Sequence, residues 1–253
     1  MLGAAVTALG LAACQPAAGA GGGNASASPA NAIDSALDAK IEQYLMDHPD
    51  VLRKALDHMQ NVEDAAATQA ETDALAKARL LLPQLRQQIE HDPRDFVANP
   101  GGRITVTEFY DYRCPHCVNI APKIIELIKS HPDVRFVFKE MPIFGDTSEH
   151  AARAAMAAKQ QGKDYLAIYD AFMATHPLTD GEIDRIAAAH GVDITAMNAA
   201  DVRKADQAQI DDIAKLAAKL AITGTPGFVI AGDIVEGEDY DALMADIAKA
   251  EKG

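Results

Sequence analysis

Tryptophan is absent from this chain, cysteine occurs three times, and Lys and Arg number 23 against 37 Asp and Glu. Each shortage removes a class of protein. The net charge of −14 would repel a phosphate backbone and no Lys/Arg-rich block offsets it, so nucleic acid is not expected as a partner. The apolar run at residues 2–13 falls short of the ~20 residues that a spanning helix needs. Missing tryptophan together with abundant alanine favours helices packed through small residues over a β-sandwich. A second CxxC and any HxxxH are also missing, so the four ligands zinc normally takes are not supplied. What is present is a 253-residue chain with 49% hydrophobic content, enough for one good-sized core and a smaller appendage.

The N-terminal run "LGAAVTALGLAA" leads directly into Cys14 and has the character of a signal segment. Its ending "LAAC" resembles the bacterial lipobox, in which the cysteine is acylated after cleavage; that resemblance makes Cys14 a lipidation site. No Lys or Arg precedes the run, a departure that keeps a plain secretory signal as the alternative. Either reading sends the protein out of the cytoplasm, where disulfides persist. The Gly/Ala/Ser/Pro stretch at residues 15–31 has nothing to bury and reads as a flexible tether, so a periplasmic domain held to a membrane through Cys14 is expected.

From Ile33 the period becomes helical. Ile33, Leu37, Ile41 and Leu45 recur every four residues, and Pro49 separates them from a second helix carrying Leu52, Leu56 and Met59. A third helix is expected over residues 63–90, with Pro83 as a kink or break. Residues 32–92 thus read as a helical extension, either a cap on the main domain or an oligomerisation arm. "ITVTEFY" then reads as a central strand, "VNIAPKIIELIKSH" as a helix and "VRFVFKEMP" as the next strand, which together make a βαβ unit. Residues 146–222 are nearly all helical, with Thr147 or Ser148 as the first cap. "GTPGFVIAGDIVEG" reads as a hairpin turning near Gly232 and Asp233, and an amphipathic helix closes the chain.

Two cysteines, Cys114 and Cys117, enclose Pro115 and His116 where the central strand gives way to a helix. At a helix start the unpaired backbone N–H groups and the macrodipole favour a thiolate, which marks Cys114 as the nucleophile. Cys117 lies one turn on, placed to close a disulfide or resolve a mixed one. His116 adds an imidazole that further favours the thiolate. A CxxC pair holding Cu(I) or Zn²⁺ is the alternative from a different class, and a lipid-tethered scaffold whose helices matter more than its thiols is a third. The other histidines, His48, His58, His91, His131, His150, His176 and His190, lie near helix ends and read as surface residues.

The order βαβ, helical insert, ββα, with "CPHC" after "EFYDY" and with "GTPGF" opening the hairpin, resembles the DsbA family of thiol:disulfide oxidoreductases over more than half of the chain. The resemblance implies an α/β, thioredoxin-like fold over residues 93–253 with a helical insertion near 146–222, and no cofactor beyond the dithiol. It implies that Thr225-Pro226 carries a cis peptide bond facing Cys114 and a strand edge for extended substrates. It implies a buried acid at Glu108 taking part in proton transfer beneath the cysteines, with Lys139 as its partner. The implied partners are unfolded or misfolded secreted proteins, a membrane redox partner and, through the helical extension, further copies of the chain. Motif alone leaves disulfide formation and isomerisation both open.

Overall fold

A computed structural model describes residues 29–252, with side chains from Ser35 onward. The chain forms two units, one ending at Glu63 and the other beginning at Asp64. The sequence suggests a boundary near residue 92. The helix α2 (Pro49–Glu90) runs through Glu63 without a break, so the two expected helices on either side of Glu63 are one, and Pro83 lies inside it. In the second unit Ala78, Leu82 and Ile89 of α2 are buried in a core with Phe109, Ile213, Leu216 and Val229. Their four- and seven-residue spacing puts one apolar face of α2 into that core.

The first unit holds α1 (Pro29–Asp47) and the start of α2. Pro49 opens α2 as expected, because a first-turn residue needs no N–H of its own. Leu37, Ile41, Tyr44, Leu52, Leu56, Met59 and Val62 are all exposed in the single chain.

The second unit is built on a five-stranded sheet in the order β1-β3-β2-β4-β5. The central strands β2 (Ile104–Tyr110) and β3 (Val134–Glu140) are parallel and joined by α3 (Pro115–Ser130), the expected βαβ unit. The edge strand β1 (Phe96–Ala98) pairs antiparallel with β3 and was not legible as a strand, since three residues carry no period. β4 (Gly227–Ile230) and β5 (Asp233–Glu236) form the closing hairpin. Its turn residues are Ala231 at φ 48° and Gly232 at φ 86°, one position earlier than expected, and this left-handed pair matches the twist of the strands.

Between β3 and β4 lie α4 (Asp146–Gln160), α5 (Tyr165–Met173), α6 (Asp180–Ala189), α7 (Ile194–Met197) and α8 (Ala200–Lys219), the helical insertion foreseen from the sequence. Gly145 rather than Thr147 or Ser148 takes the cap position of α4, with no side-chain cap. Asp164, Thr179 and Asp193 do cap α5, α6 and α7 through their side chains. Buried alanines 151, 154, 155 and 158 let α4 approach its neighbours closely. The final helix α9 (Tyr240–Ala250) is capped by Asp239. No described helix is long and apolar enough to cross a membrane.

Side chains alternate across the sheet, and this parity positions the site. Val106, Glu108 and Tyr110 of β2 share a face with Phe136, Phe138 and Glu140 of β3. Thr107 and Phe109 share the opposite face with Val137 and Lys139. The first face packs on α3 and the insertion; the second belongs with α2 and α8.

Candidate active site

Cys114 is the N-cap of α3, in extended backbone with Pro115 at the first helical position. It is 2% exposed, yet lies between exposed Arg113 on one side and exposed Pro115 and His116 on the other. Cys117 is fully buried one turn below, and both are free thiols. A hydrogen bond from the Cys117 thiol pulls Cys114 down to about 5; burial opposes this, while Thr225 and the backbone N–H groups of Cys117 and His116 assist. Burial drives Cys117 the other way, and the hydrogen bond to Cys114 and the charge of Glu108 push it further. One thiol is therefore poised as an anion and the other held neutral.

Thr225-Pro226 is a cis peptide bond. The Cys114 thiol donates to the Thr225 backbone carbonyl at 3.1 Å. The Thr225 hydroxyl, buried and without a partner, is the further donor open to the thiolate. A cleft lined by Thr223, Gly224, Thr225, Pro226, Glu236 and Gly237 opens beside this bond. The Gly237 N–H donates to the Pro226 carbonyl at 2.8 Å, tying the β5–α9 connection to the same loop. From that connection Glu238 comes within 3.4 Å of His116 Nδ1, with both side chains largely in solvent. Such an exposed pair contributes little to stability.

Glu108 is fully buried on β2, and neither of its carboxylate oxygens has a hydrogen-bond partner. Burial, reinforced by the charge of Glu140, pushes it up to about 8. The Tyr169 hydroxyl, itself without a partner, is the one neighbour that pulls the value down. The expected pairing of Glu108 with Lys139 is not formed. Lys139 is one residue out of phase with Glu108 across the parallel ladder and so points to the other face. There it forms a buried ion pair with Asp95 and donates to the Gln88 carbonyl. Lys139 is a structural link between β3 and the end of α2, removed from the thiols by the thickness of the sheet.

Several residues of this region escaped the sequence reading. Glu140 is buried, and its Oε1 accepts from Tyr165 at 2.6 Å, Tyr110 at 2.7 Å and Tyr112 at 3.3 Å. Its phase with buried Phe136 and Phe138 was the available signal. Asp111, also buried, accepts from the Arg113 N–H with one oxygen and from the Ile143 and Phe144 N–H groups with the other. It thereby fixes the turn before Cys114 to the loop after β3. Among the other histidines, His48, His58, His91, His176 and His190 are exposed, whereas His131 is half-buried and His150 pairs with Asp184 at 2.9 Å between α4 and α6. Among the described residues no group of three or more His, Cys, Asp or Glu could hold a metal ion. Cys14 lies outside the described residues.

Comparison with known proteins agrees with this geometry. The chain is 30% identical over 193 residues to the thiol:disulfide interchange protein DsbA of Bordetella parapertussis, a match that covers 68% of this chain and 88% of that protein. A second relative is Na(+)/H(+) antiporter NhaA 3 of Salinispora tropica, 32% identical over 168 residues; the match covers 63% of this chain but only 25% of the antiporter's length. Among solved structures, a thioredoxin-like oxidoreductase from Silicibacter pomeroyi superposes with a TM-score of 0.61 and 36% identity, covering 66% of this chain and 98% of that one. Residues 105–248 match the model of the DSBA-like thioredoxin domain. With the dithiol at the start of α3, the cis-proline loop against it and the helices inserted between β3 and β4, the chain belongs to the DsbA family of thiol:disulfide oxidoreductases.

Proposed function

We propose that the protein exchanges disulfides with secreted proteins outside the cytoplasm, forming or isomerising their bonds through Cys114 and Cys117. The observation that carries this reading is the Cys114 sulfur at the N-terminus of α3, 3.1 Å from the Thr225 carbonyl and one turn from a buried second thiol. In the oxidising direction a substrate thiolate attacks Cys114 Sγ and the Cys114–Cys117 bond breaks. Cys117 leaves as a thiolate in a dry site, and protonated Glu108 supplies its proton. A second substrate thiolate then attacks the substrate sulfur of the mixed disulfide, releasing Cys114 as the stabilised thiolate. In isomerisation the Cys114 thiolate attacks a substrate disulfide; escape comes when Cys117 gives its proton to Glu108 carboxylate and attacks Cys114 Sγ. Pro115 and His116 shape the helix start, and Thr225 and Pro226 offer backbone to an extended substrate. The apolar segment at residues 2–13 and Cys14 support a periplasmic site of action with a lipid tether.

The apolar side chains exposed along the first unit favour self-association, because a contiguous stripe of Leu, Ile and Met left in water is unfavourable. An assembly presenting several reduced dithiols to one misfolded substrate favours reshuffling, since a second site engages before the first lets go. Two assays separate the outcomes: reactivation of a scrambled multi-disulfide protein and oxidation of a reduced one. The full chain is expected to scatter light as an oligomer and reactivate the scrambled substrate. A form beginning at Asp64, which keeps the second unit's core, is expected to be monomeric, to oxidise normally and to reactivate several-fold less. A monomeric full chain with equal reactivation by both forms would reject the isomerase reading and leave a disulfide donor.

A further inference from the structure

Two buried carboxyl groups lie on the same face of the sheet beneath Cys117, and only one of them accepts hydrogen bonds. Glu108 is opposite Phe138 and Glu140 is opposite Tyr110, so the two acids occupy diagonal positions on adjacent parallel strands. Glu140 is met by three tyrosine hydroxyls, which are also bonded to one another: Tyr110 to Tyr165 at 2.6 Å and to Tyr112 at 2.9 Å. Glu108 makes no hydrogen bond, the Tyr169 hydroxyl being the one group that acts to lower it, and the Tyr169 ring stands edge-on to Tyr110 at 5.2 Å. Among the described residues no lysine, arginine or histidine pairs with either acid. The remaining titratable neighbours are Asp111 on the Glu140 side and Cys117 and Tyr169 on the Glu108 side.

In this arrangement we propose that Glu140 is a positioning residue for proton transfer. Held by its tyrosine triad, it takes the first negative charge of the pocket and thereby keeps Glu108 protonated until Cys117 has to exchange a proton. The inference rests on the reading of Glu108 as the proton partner of Cys117. Its physical basis is an asymmetry of donors. Hydrogen bonds to a carboxylate favour its ionised form, and a like charge in the same buried pocket disfavours the second ionisation. Burial raises both acids to about 8; the charge of Glu140 adds to the rise of Glu108, whereas the three tyrosines act to lower Glu140. Among the described residues the ionised Glu140 carboxylate has no cation paired with it, so the field it makes falls on Glu108.

The consequence is a pH dependence in one step only. When the reduced protein reacts with 5,5′-dithiobis(2-nitrobenzoate), the first thionitrobenzoate released reports attack by Cys114, and the second reports attack by Cys117 on the mixed disulfide. The second release should rise with pH as Glu108 becomes able to accept the Cys117 proton. In Glu140→Gln, which keeps a carbonyl for the tyrosines but removes the charge, the midpoint of that rise is expected to fall by about one unit or more, making the second release about tenfold faster near neutrality. In Glu108→Gln the rise itself is expected to disappear. A Glu140→Gln midpoint equal to wild type, in a protein of unchanged circular dichroism, would overturn the proposal while leaving the Glu108 relay intact. Persistence of the wild-type rise in Glu108→Gln would overturn the relay reading itself. Should Glu140→Gln fail to fold, Tyr165→Phe removes one donor from Glu140 and is expected to lower the midpoint in the same direction by less; no movement there would likewise reject the proposal.

Discussion

Replacing Cys114 with serine is expected to abolish disulfide exchange, with a loss of more than about 10³-fold in both oxidation and reactivation assays. A hydroxyl at the start of α3 keeps the backbone geometry but offers neither a sulfur–sulfur bond nor an ionisable group in the working pH range. Cys117→Ser should behave differently. Its Cys114 still attacks, but the buried position one turn below no longer resolves the adduct, so mixed disulfides with substrate should accumulate and be visible on non-reducing gels. The contrast between an inert first variant and a trapped second one assigns the order of events. Equal trapping by both variants would mean that either thiol can begin the reaction, which the opposite shifts of the two thiols argue against.

The second large effect is on stability, and its sign follows from the direction of the Cys114 shift. Cys114 in the folded, reduced protein is pulled down to about 5 from an ordinary value of 9.0. A depressed acid stabilises the folded state fully above its unfolded value and loses that contribution as pH falls through its folded one. The oxidised protein has no Cys114 proton to titrate. The stability of the reduced form relative to the oxidised form should therefore climb with pH from about 5 to about 9 and be flat below. Cys117, shifted upward, enters only above that window. Buried Asp95, Glu108 and Glu140 are present in both redox forms and largely cancel in the difference. The gain is on the order of a few kcal/mol once solvent screening is allowed for, or roughly 5–10 °C in Tm. Melting curves of both forms across that range check it; a difference independent of pH would contradict an ionised Cys114. The same linkage makes the dithiol oxidising, because what stabilises the thiolate destabilises the disulfide relative to it.

Much of this site was legible in the sequence because the chemistry is local. "CPHC" after a β-branched strand places Cys114 at a helix start whatever the rest of the chain does, and the helix start supplies the donors. Thr225-Pro226 and the hairpin after it were readable from composition, but their approach to Cys114 rested on family resemblance, since 111 residues separate Thr225 from Cys114. What failed was pairing across strands. The parity of "ITVTEFY" and "VRFVFKE" tells which residues alternate but not which phase of one strand faces which phase of the other, so Lys139 was assigned to Glu108 although it lies on the far face with Asp95. Glu140 was missed for the complementary reason: a charge at a strand end looks solvated until three tyrosines from β2, its following turn and α5 are seen to converge on it. How far the helical extension packs on the core is not legible in the sequence, because α2 keeps its helical period throughout and only the burial of Ala78, Leu82 and Ile89 marks the packed part.

The most direct measurement is the ultraviolet absorbance of the Cys114 thiolate as a function of pH in the reduced protein, with Cys114→Ser as the blank. A transition centred near 5 that vanishes in the blank is the predicted result. A transition centred near 9, the ordinary value for a thiol, would show that the start of α3 and the Thr225 loop do not activate Cys114, and would contradict the account of this site as a poised dithiol.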